Sequence, residues 1–390
     1  MSDGKPSPTI LLTAVEPSAD AIGADFMRAM RGSQPGARFI GCGGDAMAAQ
    51  GLVSLFPTSE LSVMGLTDVA RIAWAAFARA RDLAHLAAET RPDAAVLIDA
   101  WGFSRIVAAR IRAQSPETTL VKLATPQVWA SRPGRTETVV SLFDGALCLL
   151  PFEPAIFEAA GGRAAFIGNP NFAAAASAQA DAAAFRARHG LSAGPVLAIL
   201  PGSRRGEVKR LAAPFGEAAA RLAGRVPGLK VIAPLAPSVA DLARSEIAKW
   251  SVPVVTVGPD EKYDAFAAST AALAASGTVT TELAIHGAPT VAAYRVDPLT
   301  EAWARRVIIC KYASIVNIAA DAEIIPERLQ GDCTGAALEA ALLPFLEDGA
   351  VRARWRAEAG EVVRSLLAPG EGGLLPGEAA AAKVIEWAGL

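Results

Sequence analysis

The sequence predicts an α/β protein built from two doubly wound, Rossmann-like domains facing a cleft. Three observations carry this. The apolar runs are short and continuous rather than alternating, and helix-forming stretches separate them, as expected for parallel strands covered on both faces. The pattern restarts after Gly168-Asn169-Pro170. The chain has 390 residues, two to three domains' worth at roughly 150 residues each.

Taken in order, residues 9–14 read as the first buried strand, and 21–31 as a helix with Asp20 available to cap it. Strands follow at 38–41, 94–99, 120–124 and 145–150. Beyond Pro170, the Ala-rich stretch 173–188 reads as one helix, since Phe185, Arg186 and good helix formers interrupt its low complexity. The second set of strands falls at 196–200, 229–233, 254–257, 271–275 and 290–294. The expected domains are 1–170, 171–368, and a final helical segment, 369–390, that packs back on the first domain. Ligands of such domains bind at the carboxyl ends of the strands, so the loops there are where chemistry is expected.

Composition removes several classes of function. With 37 basic against 39 acidic residues, there is no basic excess of the kind nucleic-acid binding needs. A chain that is 52% hydrophobic and 19% charged folds rather than staying disordered. Cys42, Cys148, Cys310 and Cys333 form no C-x-x-C pair, and the histidines are His85, His189 and His286, so no metal site is expected. Scattered cysteines suit a reducing compartment. Residues 1–8 lack the apolar core of a secretory signal, and no run of about 18 apolar residues could span a bilayer. The expected location is cytoplasmic, with contact at a membrane surface left open.

Four loops stand out. Gly41-Cys42-Gly43-Gly44-Asp45-Ala46, with Glu60 beyond, fits the dinucleotide fingerprint G-x-G-x-x-A. It follows the second strand rather than the first, which favours a tight strand-to-helix turn over NAD binding. Val15-Glu16-Pro17-Ser18-Ala19-Asp20 leaves the first strand and opens a helix, where amides favour an anion or Asp20 serves the backbone. Leu200-Pro201-Gly202-Ser203-Arg204-Arg205-Gly206-Glu207 offers a glycine for close approach and Arg204 to fork a phosphate, or a plain turn with solvated arginines. Ala275-Ser276-Gly277-Thr278-Val279-Thr280-Thr281-Glu282 offers amides, hydroxyls and a helix dipole to a diphosphate. Glu282 is positioned for a ribose hydroxyl, and Thr278 or Thr281 could instead cap the helix. It lacks the P-loop lysine, and no D-x-D occurs anywhere, so arginine and helix dipole would have to neutralise a leaving diphosphate without a metal.

Val69, Ile72, Ala73, Ala76, Phe77 and Ala80 recur at helical spacing, with Trp74 beside them and Arg71, Arg79 and Arg81 flanking. A second basic-aromatic segment runs from Trp303 to Tyr312 with Arg305, Arg306 and Lys311. Such stretches can lie on an anionic membrane or can be a core stripe with a solvated face.

Together these loops resemble the lipid-A-disaccharide synthase family, inverting glycosyltransferases of GT-B architecture. The resemblance runs from about Thr9 to Phe345. It rests on Glu60-Leu61-Ser62-Val63-Met64-Gly65, Pro126 with Val128-Trp129-Ala130, Leu150-Pro151-Phe152-Glu153, Phe166-Ile167-Gly168, the loops at 200–207 and 276–282, Tyr294-Arg295, Asn317 and Ile325-Pro326-Glu327. It implies transfer of diacylglucosamine from UDP-2,3-diacylglucosamine to 2,3-diacylglucosamine 1-phosphate at the cytoplasmic face of the inner membrane, with no cofactor. It also implies that Gly202, Ser203, Arg204, Ser276, Gly277, Thr278, Glu282, Tyr294, Arg295 and Asn317 serve the donor. The acceptor and membrane would meet Met64, Arg71, Ile72, Trp74, Phe77 and Arg79. A homodimer is left open.

Four motifs depart from the family pattern, all in the first domain. The first loop has lost both glycines of G-E-x-S-G-D. The second acid of I-D-x-P-D-F is Gly102, the histidine of F-I-G-H is Asn169, and the second tryptophan of P-S-V-W-A-W is Ser131. With Gly102 at the acid's position, the base role falls to Asp99, Glu16 or Asp20. The rival readings are a donor-binding paralogue without catalysis, a GT-B enzyme with another acyl-sugar acceptor and, more distantly, an NAD oxidoreductase.

Overall fold

The computed structural model describes residues 7–61, 69–191, 194–370 and 373–390. The chain divides into two compact units, residues 1–170 with 368–390 and residues 171–367. Each is built around a six-stranded, all-parallel sheet.

The first sheet comprises β1 (Thr9–Thr13), β2 (Arg38–Cys42), β3 (Ala94–Ile98), β4 (Thr119–Leu123), β5 (Gly145–Cys148) and β6 (Ala164–Phe166), in the order β2-β1-β3-β4-β5-β6. Its helices are α1 (Pro17–Ser33), α2 (Asp45–Ala49), α3 (Val69–Thr90), α4 (Trp101–Gln114), α5 (Arg135–Leu142) and α6 (Glu153–Ala159). One apolar cluster packs Ile10, Leu12 and Val96 against Phe26 and Met27 of α1. The other packs Leu11, Ala95 and Leu97 against Leu83, Ala87 and Val107 of α3 and α4. Successive strand residues thus enter opposite clusters, which is why the sequence shows unbroken apolar runs.

The second sheet comprises β7 (Val196–Leu200), β8 (Lys230–Pro234), β9 (Val254–Val257), β10 (Ala271–Ala275), β11 (Thr290–Tyr294) and β12 (Glu327–Leu329), in the order β12-β11-β10-β7-β8-β9. Its helices are α7 (Pro170–Ser177), α8 (Ala182–Arg188), α9 (Arg205–Arg225), α10 (Ala240–Ile247), α11 (Lys262–Ala268), α12 (Thr278–Ile285), α13 (Pro298–Val307), α14 (Ile315–Ala320), α15 (Gly335–Glu347) and α16 (Gly349–Leu366). The chain then returns to the first unit as α17 (Pro376–Ala388), which packs along α1 through Ala379, Ala380, Ala381 and Val384. Gly145 of β5 lies flat under Trp387, where a Cβ would meet the ring at 2.2 Å.

Three sequence expectations need correction. The helix expected over 173–188 is two helices, because Asp181 accepts from the Ala184 amide at 2.8 Å and starts α8 afresh. The first helix begins at Pro17, not Ala21, so Asp20 lies inside it rather than capping it. The edge strands β6 and β12 were not anticipated: β6 is a short apolar run close to Gly168, and β12 has almost no apolar character. Each has three residues, and β12 reads Glu-Arg-Leu.

Candidate functional site

In a doubly wound sheet the strand order reverses at a switch point, and the two loops there splay apart to leave a crevice. In the first unit that point lies between β1 and β3, paired with Thr13 opposite Leu97. The loops leaving it carry Glu16 and Asp99. In the second unit it lies between β7 and β10, with Leu200 opposite Ala274. Those loops carry Gly202, Ser203 and Arg204 on one side and Ser276, Gly277 and Thr278 on the other.

The first crevice is conformationally constrained. Asp99 and Ala100 both adopt left-handed φ angles, 49° and 39°, at a cost of roughly 1–2 kcal/mol per residue. The buried side chain of Lys122 on β4 stabilises them. Its ammonium donates to the carbonyls of Leu97 (3.1 Å), Asp99 (2.7 Å) and Leu123 (2.9 Å). Ser104 donates to the Asp99 carbonyl as well, at 2.6 Å. Burial pulls Lys122 down to about 7, opposed by the negative charge of Asp99. Glu16 stands exposed at the N-cap of α1 without a side-chain capping bond. Gly102, in the first turn of α4, is exposed, and a Cβ there would meet nothing within 4 Å.

Asp20 has a different task. Its buried carboxylate accepts from the amides of Gly44 (2.7 Å), Ala46 (2.8 Å) and Met47 (3.1 Å). It caps α2 from across the unit, so its place among the base candidates is corrected to a structural one. The same bonds bring the Gly43-Gly44 turn against α1, leaving those amides engaged with protein rather than open to a dinucleotide. Glu153 is similar. Its buried carboxylate accepts from Trp129 Nε1 (2.9 Å) and the amides of Leu149 (3.1 Å) and Leu150 (3.0 Å), and burial raises its pKa. It fastens the loop after β5 to the loop after β4.

In the second unit, Gly202 takes φ 117°, in the left-handed half of φ space, and a Cβ there would also strike Glu207 at 2.6 Å, so the position requires glycine twice over. Glu207 accepts from the amides of Ser203 (3.1 Å) and Arg204 (3.2 Å) and pairs with the Arg204 guanidinium at 3.1 Å. The Arg204 side chain remains 80% exposed. Thus Glu207, which the sequence marked only as the end of a motif, shapes the loop that presents Arg204. Opposite, Gly277 stands at the N-cap of α12 and no side chain caps it, so neither Thr278 nor Thr281 does so. Gly277 and Thr278 are exposed. Ser276 donates to the Ala313 carbonyl at 2.9 Å. Glu282 is buried and ion-paired with Lys262 of α11, a partner that no local pattern announced. Tyr294 closes β11, one strand over, and Arg295 follows exposed.

Asn317 does not fit a ligand-contacting role. It is fully buried, its Nδ2 donates to the Ile325 carbonyl (2.7 Å) and Glu327 (2.8 Å), and its Oδ1 accepts from the amides of Ile324 (2.9 Å) and Ile325 (2.8 Å). All four of its hydrogen-bonding positions are filled. Glu327 in turn accepts from the Ala313 and Ser314 amides. Asn317 therefore braces the turn whose carbonyl holds Ser276, and its donor-contact expectation is corrected to that.

The stripe on α3 divides. Ala80, Leu83, Ala84 and Ala87 are buried in the core, whereas Trp74 is 77% and Phe77 51% exposed. Arg79 is held by Glu60 and Asp82, whose hydrogen bonds raise its pKa. A guanidinium already balanced by two carboxylates offers little to an anionic surface, which corrects the expectation for Arg79. Met64 lies outside the described residues, as do the side chains of Arg71 and Ile72. Among the described residues no helix is long and apolar enough to cross a membrane.

Two Rossmann-like units, each with a loop pair at its switch point, define the GT-B architecture. Solved structures of that kind match along the chain. A glycotransferase of kitacinnamycin superposes with TM-score 0.60 at 15% identity, covering 98% of this chain and 100% of its own. The UDP-GlcNAc 2-epimerase of Neisseria meningitidis bound to UDP-GlcNAc gives 0.57 at 11%, covering 97% of each. Sequence is more specific. The family model described as lipid-A-disaccharide synthetase matches residues 10–367. The lipid-A-disaccharide synthases of Paramagnetospirillum magneticum and Rhodospirillum centenum are each 42% identical, over 97% and 96% of this chain and 97% and 94% of theirs. The chain belongs to the lipid-A-disaccharide synthase family.

Proposed function

We propose that the protein is an inverting glycosyltransferase that joins UDP-2,3-diacylglucosamine to 2,3-diacylglucosamine 1-phosphate, releasing the β(1→6) disaccharide phosphate and UDP. The observation that carries the reading is the exposed Arg204, Gly277 and Thr278 assembled on the two switch-point loops of the second unit, in a chain of this family. There the α12 dipole and the Arg204 guanidinium would take the UDP diphosphate, and Glu282, oriented by Lys262, a ribose hydroxyl. As the acceptor 6-hydroxyl attacks the donor's anomeric carbon, its proton passes to a carboxylate and the sugar–phosphate bond breaks toward UDP. Glu16 and Asp99 are the carboxylates of the first crevice left for that task, and a positioned base contributes about 10²–10⁴-fold.

Trp74 and Phe77, both exposed, would supply a surface for the acyl chains or the bilayer, which supports a place of action at the inner-membrane face. The rival is a donor-binding paralogue without catalysis, a reading that Gly102 raises and that the family membership of the chain does not favour. Incubation with both lipid substrates decides between them. Disaccharide and UDP in equal amounts support the synthase, whereas UDP binding without product in any enzyme preparation supports the paralogue.

A further inference from the structure

Beside the first crevice lies a concentration of positive charge that the reading above leaves unused. Arg105 projects exposed from the second turn of α4, Arg132 sits exposed in the loop after β4, and Arg135 is the half-buried first residue of α5. Because β3 and β4 are adjacent and parallel, with Ile98 opposite Leu123, both loops leave the same edge of the sheet as Glu16 and Asp99. Burial lowers the Arg135 pKa, and the charges of Arg132 and Arg105 lower it further, so the three guanidinium groups act on one another. Neither Arg105 nor Arg135 is ion-paired with any described residue.

The loop that carries two of them is held in shape. Arg132 takes a left-handed φ of 52°. The Arg135 amide bonds back to the Arg132 carbonyl at 3.1 Å, and those of Ala130 and Ser131 to Gln127. Trp129 ties the segment to buried Glu153 and meets Phe152 edge-on, ring centroids 5.5 Å apart. A fold that fixes three like charges together against their repulsion is preorganised for an anion of more than one charge. Planar guanidinium forks suit the oxygens of a phosphate monoester.

We propose that Arg105, Arg132 and Arg135 bind the phosphate monoester of the acyl-sugar acceptor and so distinguish it from an acceptor with a free anomeric hydroxyl. The proposal rests on the synthase reading. It makes these arginines specificity residues rather than participants in proton transfer.

The test compares the full-length wild type with Arg105→Gln plus Arg135→Gln. Each is assayed in detergent micelles with diacylglucosamine 1-phosphate and with its 1-hydroxyl counterpart. Tenfold per lost charge-assisted bond lowers the kcat/KM ratio between phosphorylated and hydroxyl acceptor by about 100-fold, while an unchanged circular-dichroism spectrum and melting curve report that the first unit is folded and calorimetry reports that UDP affinity is kept. The Arg→Lys pair, which keeps the charges without the forks, should lie between. An unchanged ratio in a variant that still binds UDP overturns the proposal. So does a loss seen only on vesicles containing phosphatidic acid, which would make the cluster a reader of headgroups. If the wild type forms no disaccharide, the synthase reading fails. The same comparison of the two acceptors by binding then still decides for or against the arginines.

Discussion

Lys122 permits a quantitative test of how the first crevice is held. Its ordinary pKa of 10.5 falls to about 7 in the folded chain. Between those values the unfolded chain carries the proton and the folded chain does not, so folding stability rises with pH across that window. From pH 6 to pH 9 only the folded-state value is crossed, about two units, and at about 1.4 kcal/mol per unit the gain is about 2.7 kcal/mol. Lys122→Met removes the ionisable group while keeping its length. Two of the three carbonyls keep another donor, since Leu123 O still accepts from the Asp99 amide (2.9 Å) and Asp99 O from Ser104 (2.6 Å). Urea unfolding of both proteins at pH 6 and pH 9 isolates the term, because all other titrations are common to the pair. Relative to the wild type, Lys122→Met should be about 2.7 kcal/mol less stable at pH 9 than it is at pH 6. Identical pH dependences would refute the argument and mean that the carbonyl triad holds the ammonium charged throughout.

Other expectations follow from the same geometry. Arg204→Ala should weaken UDP by about 1.5–3 kcal/mol in calorimetry, and EDTA should leave wild-type binding intact; affinity lost to the chelator would contradict a metal-free donor site. Gly102→Asp enters open space at a helix start, where a carboxylate is tolerated. It should raise a weak turnover if a base is missing, and leave it flat or lower if Asp99 or Glu16 already serves. Asn317→Ala should cost about 2–5 kcal/mol of stability by breaking a buried network and weaken UDP indirectly through Ser276; an unaltered melting curve would show the brace is dispensable. Trp74→Ala plus Phe77→Ala should reduce sedimentation with anionic vesicles, while Arg79→Ala should change it little; the reverse order would mean charge, not apolar area, drives attachment.

How much was legible beforehand depended on the range of the interaction. Val196–Leu200 and Ala271–Ala275 were read with their boundaries because burial on both faces writes an uninterrupted apolar run. The switch-point loops followed from strand order and glycine placement. The three-residue edge strands β6 and β12 were too short to stand out, whereas the longer edges β2 and β9 were read. Asp20 and Asn317 were recognised as important residues, but their roles were hidden. A carboxylate that caps a helix 24 to 27 residues away looks in sequence like one that awaits a substrate. The Lys262–Glu282 pair and the carbonyl triad on Lys122 are likewise tertiary, with no local pattern to expose them.

The return of α17 has a consequence for biogenesis. Its Ala379, Ala380, Ala381 and Val384 complete the core beside α1, so the unit made first on the ribosome is finished last. At about 5–20 residues per second, residues 1–170 wait roughly ten seconds or more for their final helix, with the apolar flank of α1 uncovered. The intervening unit is contiguous in sequence and can fold in that interval. Translation speed and chaperone capacity should therefore affect the yield of the first unit more than that of the second, and premature termination before α17 should leave a nascent chain whose first unit is the aggregation-prone part.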